Sequence, residues 1–214
     1  MLSFFTKDFQ NKLYMIIFIF VFHNFILSYI VGFDTSFFIM AILGIIINLY
    51  IKRDHLKRVI IDKYFLTYSI YYISYLLILI RYIPTDINDV INVLLLNGIR
   101  EELFFRFFMI GILINPKKDL TADRIFKIFT VLIIINILFM INHLYYGITL
   151  QLFVFTIGGF FSIIFIFCGL IPSIIAHTIH NLYFNNQQST LIHLGLILPI
   201  TLSPHFRKFI NEIT

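Results

Sequence analysis

The chain has 214 residues, 60% of them hydrophobic and only 13% charged, with mean hydropathy +0.94. A soluble domain of this size carries about a quarter charged residues, so the composition excludes one and predicts a single all-α integral membrane domain over residues 1–214. The lone cysteine, Cys168, excludes an intramolecular disulfide and a thiolate metal cage, and the net charge of +5 is not the footprint of a nucleic-acid partner.

Residues 1–12 form a short polar lead. Residues 13–31 are apolar and long enough to cross a bilayer at about 1.5 Å per residue. They lack a small-residue cleavage site, which predicts a retained helix. His23 and Asn24 lie mid-span, where hydrogen bonding within a bundle would satisfy them. After a turn at residues 32–35, a second span covers 36–51, followed by a basic loop at 52–63. A third span, 64–83, carries a stripe of Tyr68, Tyr71, Tyr72 and Tyr75, expected to pack or to anchor at the interface. Arg81 can snorkel at its end. Residues 84–89 break the chain and can cap the next helix.

The fourth span, 90–114, holds Arg100, Glu101, Glu102 and Arg106 in an otherwise apolar run. Charge in hydrocarbon costs several kcal/mol per group, roughly, so such a cluster marks a candidate functional site. A polar loop, 115–124, precedes a fifth span, 125–144, with Phe139 and His143. Residues 145–147 turn into a sixth span, 148–168, whose Gly158-Gly159 pair permits close helix approach. Residues 169–172 are expected to turn. A seventh span, 173–184, carries His177, His180 and Asn181. An eighth, 190–202, precedes a tail, 204–214.

The sequence thus predicts a polytopic bundle of about eight transmembrane spans. With eight crossings, all of the 16 Lys and Arg residues except Arg81, Arg100 and Arg106 fall on the side of the two termini. By the positive-inside rule that side is cytoplasmic.

Glu102 and Arg106, four residues apart, share a helix face and can pair. Glu101 lies about 100° around the helix and can face other partners. His177 and Asn181 are also four apart. If spans four, five and seven meet, a carboxylate, two imidazoles and a carboxamide converge. A carboxylate beside an imidazole can activate water, and a second imidazole with a carboxamide can stabilise an oxyanion. The same residue types, Glu101, His143 and His177, could instead hold zinc. These limits on straight, upright helices would leave Glu101, His143 and His177 at different depths, so the convergence requires tilted or broken helices.

Glu101-Glu102-x-x-x-Arg106, Phe139-x-x-x-His143 and His177-x-x-x-Asn181 occur in that order, each on an expected membrane helix. This pattern, over about residues 90–184, resembles the CPBP family: CAAX proteases and bacteriocin-processing enzymes, also called the Abi family of intramembrane glutamate endopeptidases. The glycine often found after the motif arginine is Phe107 here. The resemblance implies a protease core at about 90–184 in which Glu101 activates water with His143, while His177 and Asn181 stabilise the oxyanion. Glu102 and Arg106 would brace the site. It also implies a peptide or protein substrate at the lipid bilayer of a bacterial cell, such as a maturing pheromone or bacteriocin. Some members are described as metalloproteases, which keeps zinc in play. A non-catalytic immunity or scaffold protein of the same fold is the alternative. His180 is expected to stand behind the site, and Arg100 to act as counter-charge to Glu101; His55, His193 and His205 carry no signal.

Overall fold

The structure, a computed structural model, describes residues 6–51, 63–83, 85–114, 125–143, 147–184 and 189–213. The basic loop at 52–62, the polar loop at 115–124 and the turn residues 144–146 and 185–188 lie outside them. All regular structure among the described residues is helical. Helix α1 is Lys7–Val31, α2 Phe33–Ile51, α3 Lys63–Tyr82 and α4 residues 87–113. Helix α5 is Ile125–Ile141, α6 Ile148–Cys168, α7 Leu170–Tyr183, α8 Ser189–Leu202 and α9 Pro204–Ile213.

The ends follow local chemistry. The Thr6 hydroxyl accepts from the Phe9 N–H at 3.3 Å to cap α1, and the Asp86 carboxylate accepts from the Asn88 N–H at 2.7 Å to cap α4. Two expected turns shrink to single glycines. Gly32 (φ 85°) alone separates α1 from α2, and Gly169 (φ 103°) alone separates α6 from α7. Pro172 therefore lies inside the first turn of α7 and not in a loop. A proline is tolerated there because the first N–H groups of a helix have no intrahelical acceptor. The expected tail is also helical: in α9, Phe206, Phe209 and Ile210 pack on the core while Arg207 and Lys208 face outward.

Beyond Lys12, helix α1 is apolar on most of its surface. Phe9, Leu13, Ile16 and Phe20 are buried, while Phe18, Val21, Phe25 and Tyr29 are exposed. A helix that buries one apolar face and presents another suits a hydrocarbon surround. Among the described residues two helices, α1 and α6, are long and apolar enough to cross a membrane. Helices α7 and α8 have 14 residues each, about 21 Å, against roughly 30 Å of bilayer hydrocarbon. Eight full crossings are therefore not established by helix length.

The tyrosine stripe is a structural seam between α3 and α8. Pro199 lies inside α8, and without an N–H it leaves the Gly195 carbonyl, four residues earlier, without its helical donor. The Tyr71 hydroxyl donates to that oxygen at 2.9 Å. Tyr72 and Tyr75 donate to the carbonyls of Leu196 (2.6 Å) and Ile192 (3.1 Å). His23 and Asn24 are also satisfied, separately: His23 shares a hydrogen bond with Ser36 (3.0 Å), and Asn24 donates to the Phe20 carbonyl (3.0 Å). Cys168 is buried, as its apolar neighbours suggest.

Candidate active site

Helix α4 carries the charged cluster through the bundle centre and is not a regular α-helix there. Residues Leu94–Ile99 and Glu102–Ile110 are π-helical. The wider i→i+5 turn recurs at functional sites, and here it brackets Arg100 and Glu101.

The Glu102–Arg106 pair forms as the spacing predicts, with Nη1 to Oε1 at 3.1 Å and both side chains fully buried. Arg106 reaches further than its own helix. Its Nη2 donates to the Gly158 carbonyl at 2.9 Å, and its guanidinium lies 4.3 Å from the centre of the Phe139 ring. Gly158 makes this possible: a Cβ there would stand 2.7 Å from Phe139 Cδ1, so only glycine lets α6 come this close to α5. Phe107, at the position where glycine was expected, is buried in the core.

Glu102 is not confined to its own helix. His177 Nδ1–H donates to Glu102 Oε1 at 2.9 Å, and the Ser173 hydroxyl donates to Oε2. One carboxylate thus serves α4 and α7 together. The other face of the imidazole stacks on Phe161, with centroids 4.4 Å apart and planes 20° apart. The His177 ring is held on two sides, and its Nε2 is left 3.9 Å from Glu101 Oε2. Arg100 lies on the far side of Glu101, Nη2 to Oε1 at 3.8 Å, with its guanidinium 4.9 Å from the Phe37 ring centre.

The depth mismatch expected of upright helices does not arise between Glu101 and His177. Helix α7 starts directly after Gly169, so His177 is the eighth residue of the helix and not the fifth. His143 departs from expectation in another way. Helix α5 ends at Ile141, and His143 stands in the turn after it. The Phe139-x-x-x-His143 spacing is a helix-end device: Nδ1–H donates to the Phe139 carbonyl at 2.9 Å, one of the C-terminal carbonyls that a helix cannot satisfy itself. A carbonyl only accepts, so Nδ1 carries a proton here.

Glu101, His143, His177 and Asn181 line one cavity of about 530 Å³. Its polar end also includes Arg100 and Asn97; its apolar wall comes from Leu150, Phe153, Val154 and Ile157 of α6. Glu101 is 8% exposed, so the carboxylate meets the cavity and little else. Among the described residues no group of three His, Cys, Asp or Glu side chains is placed to hold a metal ion. Glu101, His143 and His177 line the same cavity without forming such a group.

Three participants escaped the sequence reading. Ser173 lies four residues before His177, and that spacing could have revealed it. Phe161 and His193 carried no local signal. His193, on α8, shares a 2.8 Å hydrogen bond with His180 Nδ1 and so props the wall behind the cavity. His180 is in turn enclosed by Phe153 and Phe184.

Residues 84–183 match a family model described as type II CAAX prenyl endopeptidase Rce1-like. No curated protein and no solved structure matches the chain. The matched stretch opens just before α4 and closes at the last residue of α7, so it contains Glu101, Glu102, Arg106, His143, His177 and Asn181. Over residues 84–183, a little under half of its length, the chain is similar to the Rce1-like family of CAAX-type proteases, a membrane-embedded family.

Proposed function

We propose that the protein is an intramembrane endopeptidase in which Glu101 and His143 activate water and His177 and Asn181 stabilise the oxyanion. The observation that carries this reading is the cavity. All four residues line it, with Glu101 Oε2 3.9 Å from His177 Nε2.

The roles follow from what each side chain has left to offer. Glu101 is an acceptor approached by two cationic or potentially cationic neighbours at 3.8 and 3.9 Å, leaving room for a water between them. His143, with Nδ1 committed to the Phe139 carbonyl, offers an acceptor at Nε2. Together they take a proton from water and orient the hydroxide toward the substrate carbonyl. His177 donates from Nδ1 to Glu102 and turns Nε2 toward the oxyanion, to which it donates when that nitrogen carries a proton. Asn181, one helical turn later, supplies a second donor. Glu101 then returns its proton to the departing amine, and the peptide bond breaks with one water consumed.

Charge favours this division. Arg100 and Arg106 offset Glu101 and Glu102. When Glu101 takes the proton, its negative charge passes to the oxyanion, so the buried site keeps the same total charge throughout the addition. A site of low dielectric penalises any change in net charge. Glu102 is the orienting group: it fixes the His177 ring as second carboxylates fix catalytic imidazoles elsewhere.

The substrate is a peptide or the end of a membrane-associated protein, entering from the lipid along the apolar α6 wall. On this reading the protein sits in a cell membrane, a bacterial one, with about eight spans and cytoplasmic termini; given eight crossings, the one-sided distribution of Lys and Arg supports that orientation. Purified protein in liposomes, offered a fluorogenic peptide with a farnesylated Cys-aliphatic-aliphatic-Met end, tests the reading. Wild type cleaves and Glu101→Gln does not, while both give the same helical content and melting temperature. Undiminished cleavage by the variant overturns the assignment, and the same fold as a non-catalytic immunity or scaffold protein then takes its place.

A further inference from the structure

The residues that line the cavity are graded in exposure along each helix. Glu101, Phe139, Phe161 and His177 are buried. On α4, Asn97 precedes Glu101 and is half-buried; on α6, Leu150 precedes Phe161 and is exposed. At the end of α5, His143 follows Phe139 and is half-buried; on α7, Asn181 follows His177 and is exposed, as is Phe184 just beyond. The mouth therefore lies at the end of the bundle where α4 and α6 start and α5 and α7 finish.

Contacts show that these ends coincide. Thr85, just before α4, shares a 3.2 Å hydrogen bond with the hydroxyl of Tyr183, the last residue of α7. A second set of contacts marks the opposite end. Lys127 Nζ, near the start of α5, lies 5.7 Å from the centre of the Phe9 ring near the start of α1. Phe206 and Phe209 of α9 pack on Phe167 at the end of α6, with centroids 5.1 and 5.8 Å apart.

The two ends differ in charge. Lys7, Lys12, Lys63, Lys127, Arg207 and Lys208 belong to the end away from the mouth. In sequence, the segments that precede α3 and α5 add Lys52, Arg53, Lys57, Arg58, Lys117, Lys118 and Arg124. Residues 81–89, 142–147 and 184–189, around the mouth, contain Arg81 as their only Lys or Arg and also hold Asp86 and Asp89. Lys and Arg near helix ends are retained on the cytoplasmic side, so a bundle whose basic end is inside opens outward. The comparison needs only the two ends of the bundle and not eight full crossings.

We propose that the cavity opens on the outer side of the membrane and that its substrate is a peptide segment presented there. The proposal rests on the endopeptidase reading and its cytoplasmic termini. Reach sets the length of that segment. His177 precedes the last residue of α7 by six positions, about 9 Å along the helix. An extended chain advances about 3.3 Å per residue, so roughly three substrate residues carry the scissile bond from the outer end of α7 to the level of His177. The substrate must already have crossed the membrane, so an export reaction supplies it. A chain end that stays in the cytoplasm does not reach the site.

Two measurements on spheroplasts of a bacterial host making the full chain test this. Single cysteines are introduced at Gly147, where a Cβ meets nothing within 4 Å, and at Lys7, which is exposed at the start of α1. Cys168 is buried, so wild type is the unlabelled control. A sulfonated, membrane-impermeant maleimide labels Gly147→Cys before permeabilisation and Lys7→Cys only after it. The second measurement uses the farnesylated fluorogenic peptide, given a sulfonated dye that keeps it outside. Intact spheroplasts making wild type cleave it, and those making Glu101→Gln do not. Any other labelling pattern overturns the proposal. Cleavage that appears only after permeabilisation also overturns it and leaves the endopeptidase reading standing. If the peptide is cleaved in neither state, the endopeptidase reading is what fails, and the labelling still decides which way the cavity opens.

Discussion

The α3–α8 seam and the α4–α7 site both place polar groups inside an apolar bundle, and they differ in how completely those groups are used. At the seam, three neutral hydroxyls meet three carbonyls, and the helix defect at Pro199 is closed by Tyr71. Nothing is left over. At the site, Glu102 is similarly saturated by Arg106, His177 and Ser173. Among the described residues, the ion-pair partners of its neighbour Glu101 lie no nearer than 3.8 and 3.9 Å. Two adjacent glutamates on one helix therefore follow different rules. Complete pairing holds helices together, and incomplete pairing beside a cavity leaves capacity for a substrate.

The comparison breaks most severely at Glu101. Glu101→Gln lowers kcat/KM by about 10²–10⁴-fold, the usual share of a general base, with no loss of melting temperature. A variant that is equally inactive but unfolded would make Glu101 a structural residue like Glu102. Arg106→Met leaves the Glu102 carboxylate buried without its cation. Removing one partner of a buried pair costs about 3–5 kcal/mol, so thermal denaturation in detergent should find little folded protein; near-wild-type stability would mean that His177 and Ser173 alone satisfy Glu102. Tyr72→Phe strands the Leu196 carbonyl and costs about 1 kcal/mol of stability, read from the same melts, while cleavage rate per folded molecule stays unchanged. A change in rate would tie the seam to the site. The smallest expected effect is that of a chelator. Dialysis against EDTA leaves cleavage unaltered if water is activated by side chains alone, and a loss reversed by added zinc would turn Glu101 and the histidines into ligands.

Much of this was legible in the residues. An apolar chain with a charged heptapeptide can keep those charges only by pairing them, so the Glu102–Arg106 contact follows from a four-residue spacing. Arg100 beside Glu101 follows from the same need. Short-range rules also found the Asp86 cap and the close approach at Gly158. They failed where an element is defined by its neighbours. His143 was expected on a helix, and its turn position came from where α5 ends. His193 looked idle because its bond to His180 depends on how α8 docks on α7.

Sequence by itself determined the all-helical class, the Glu102–Arg106 pairing and the family that residues 84–183 resemble. These depend on composition and on spacings of three or four residues, which a helix converts directly into shared faces. Tertiary structure alone decided that Glu102 also orients His177, that Pro199 is closed by a tyrosine from another helix, and that Glu101 and Asn181 line one cavity. Each joins a residue to a group far along the chain or to empty space, and no local spacing encodes either.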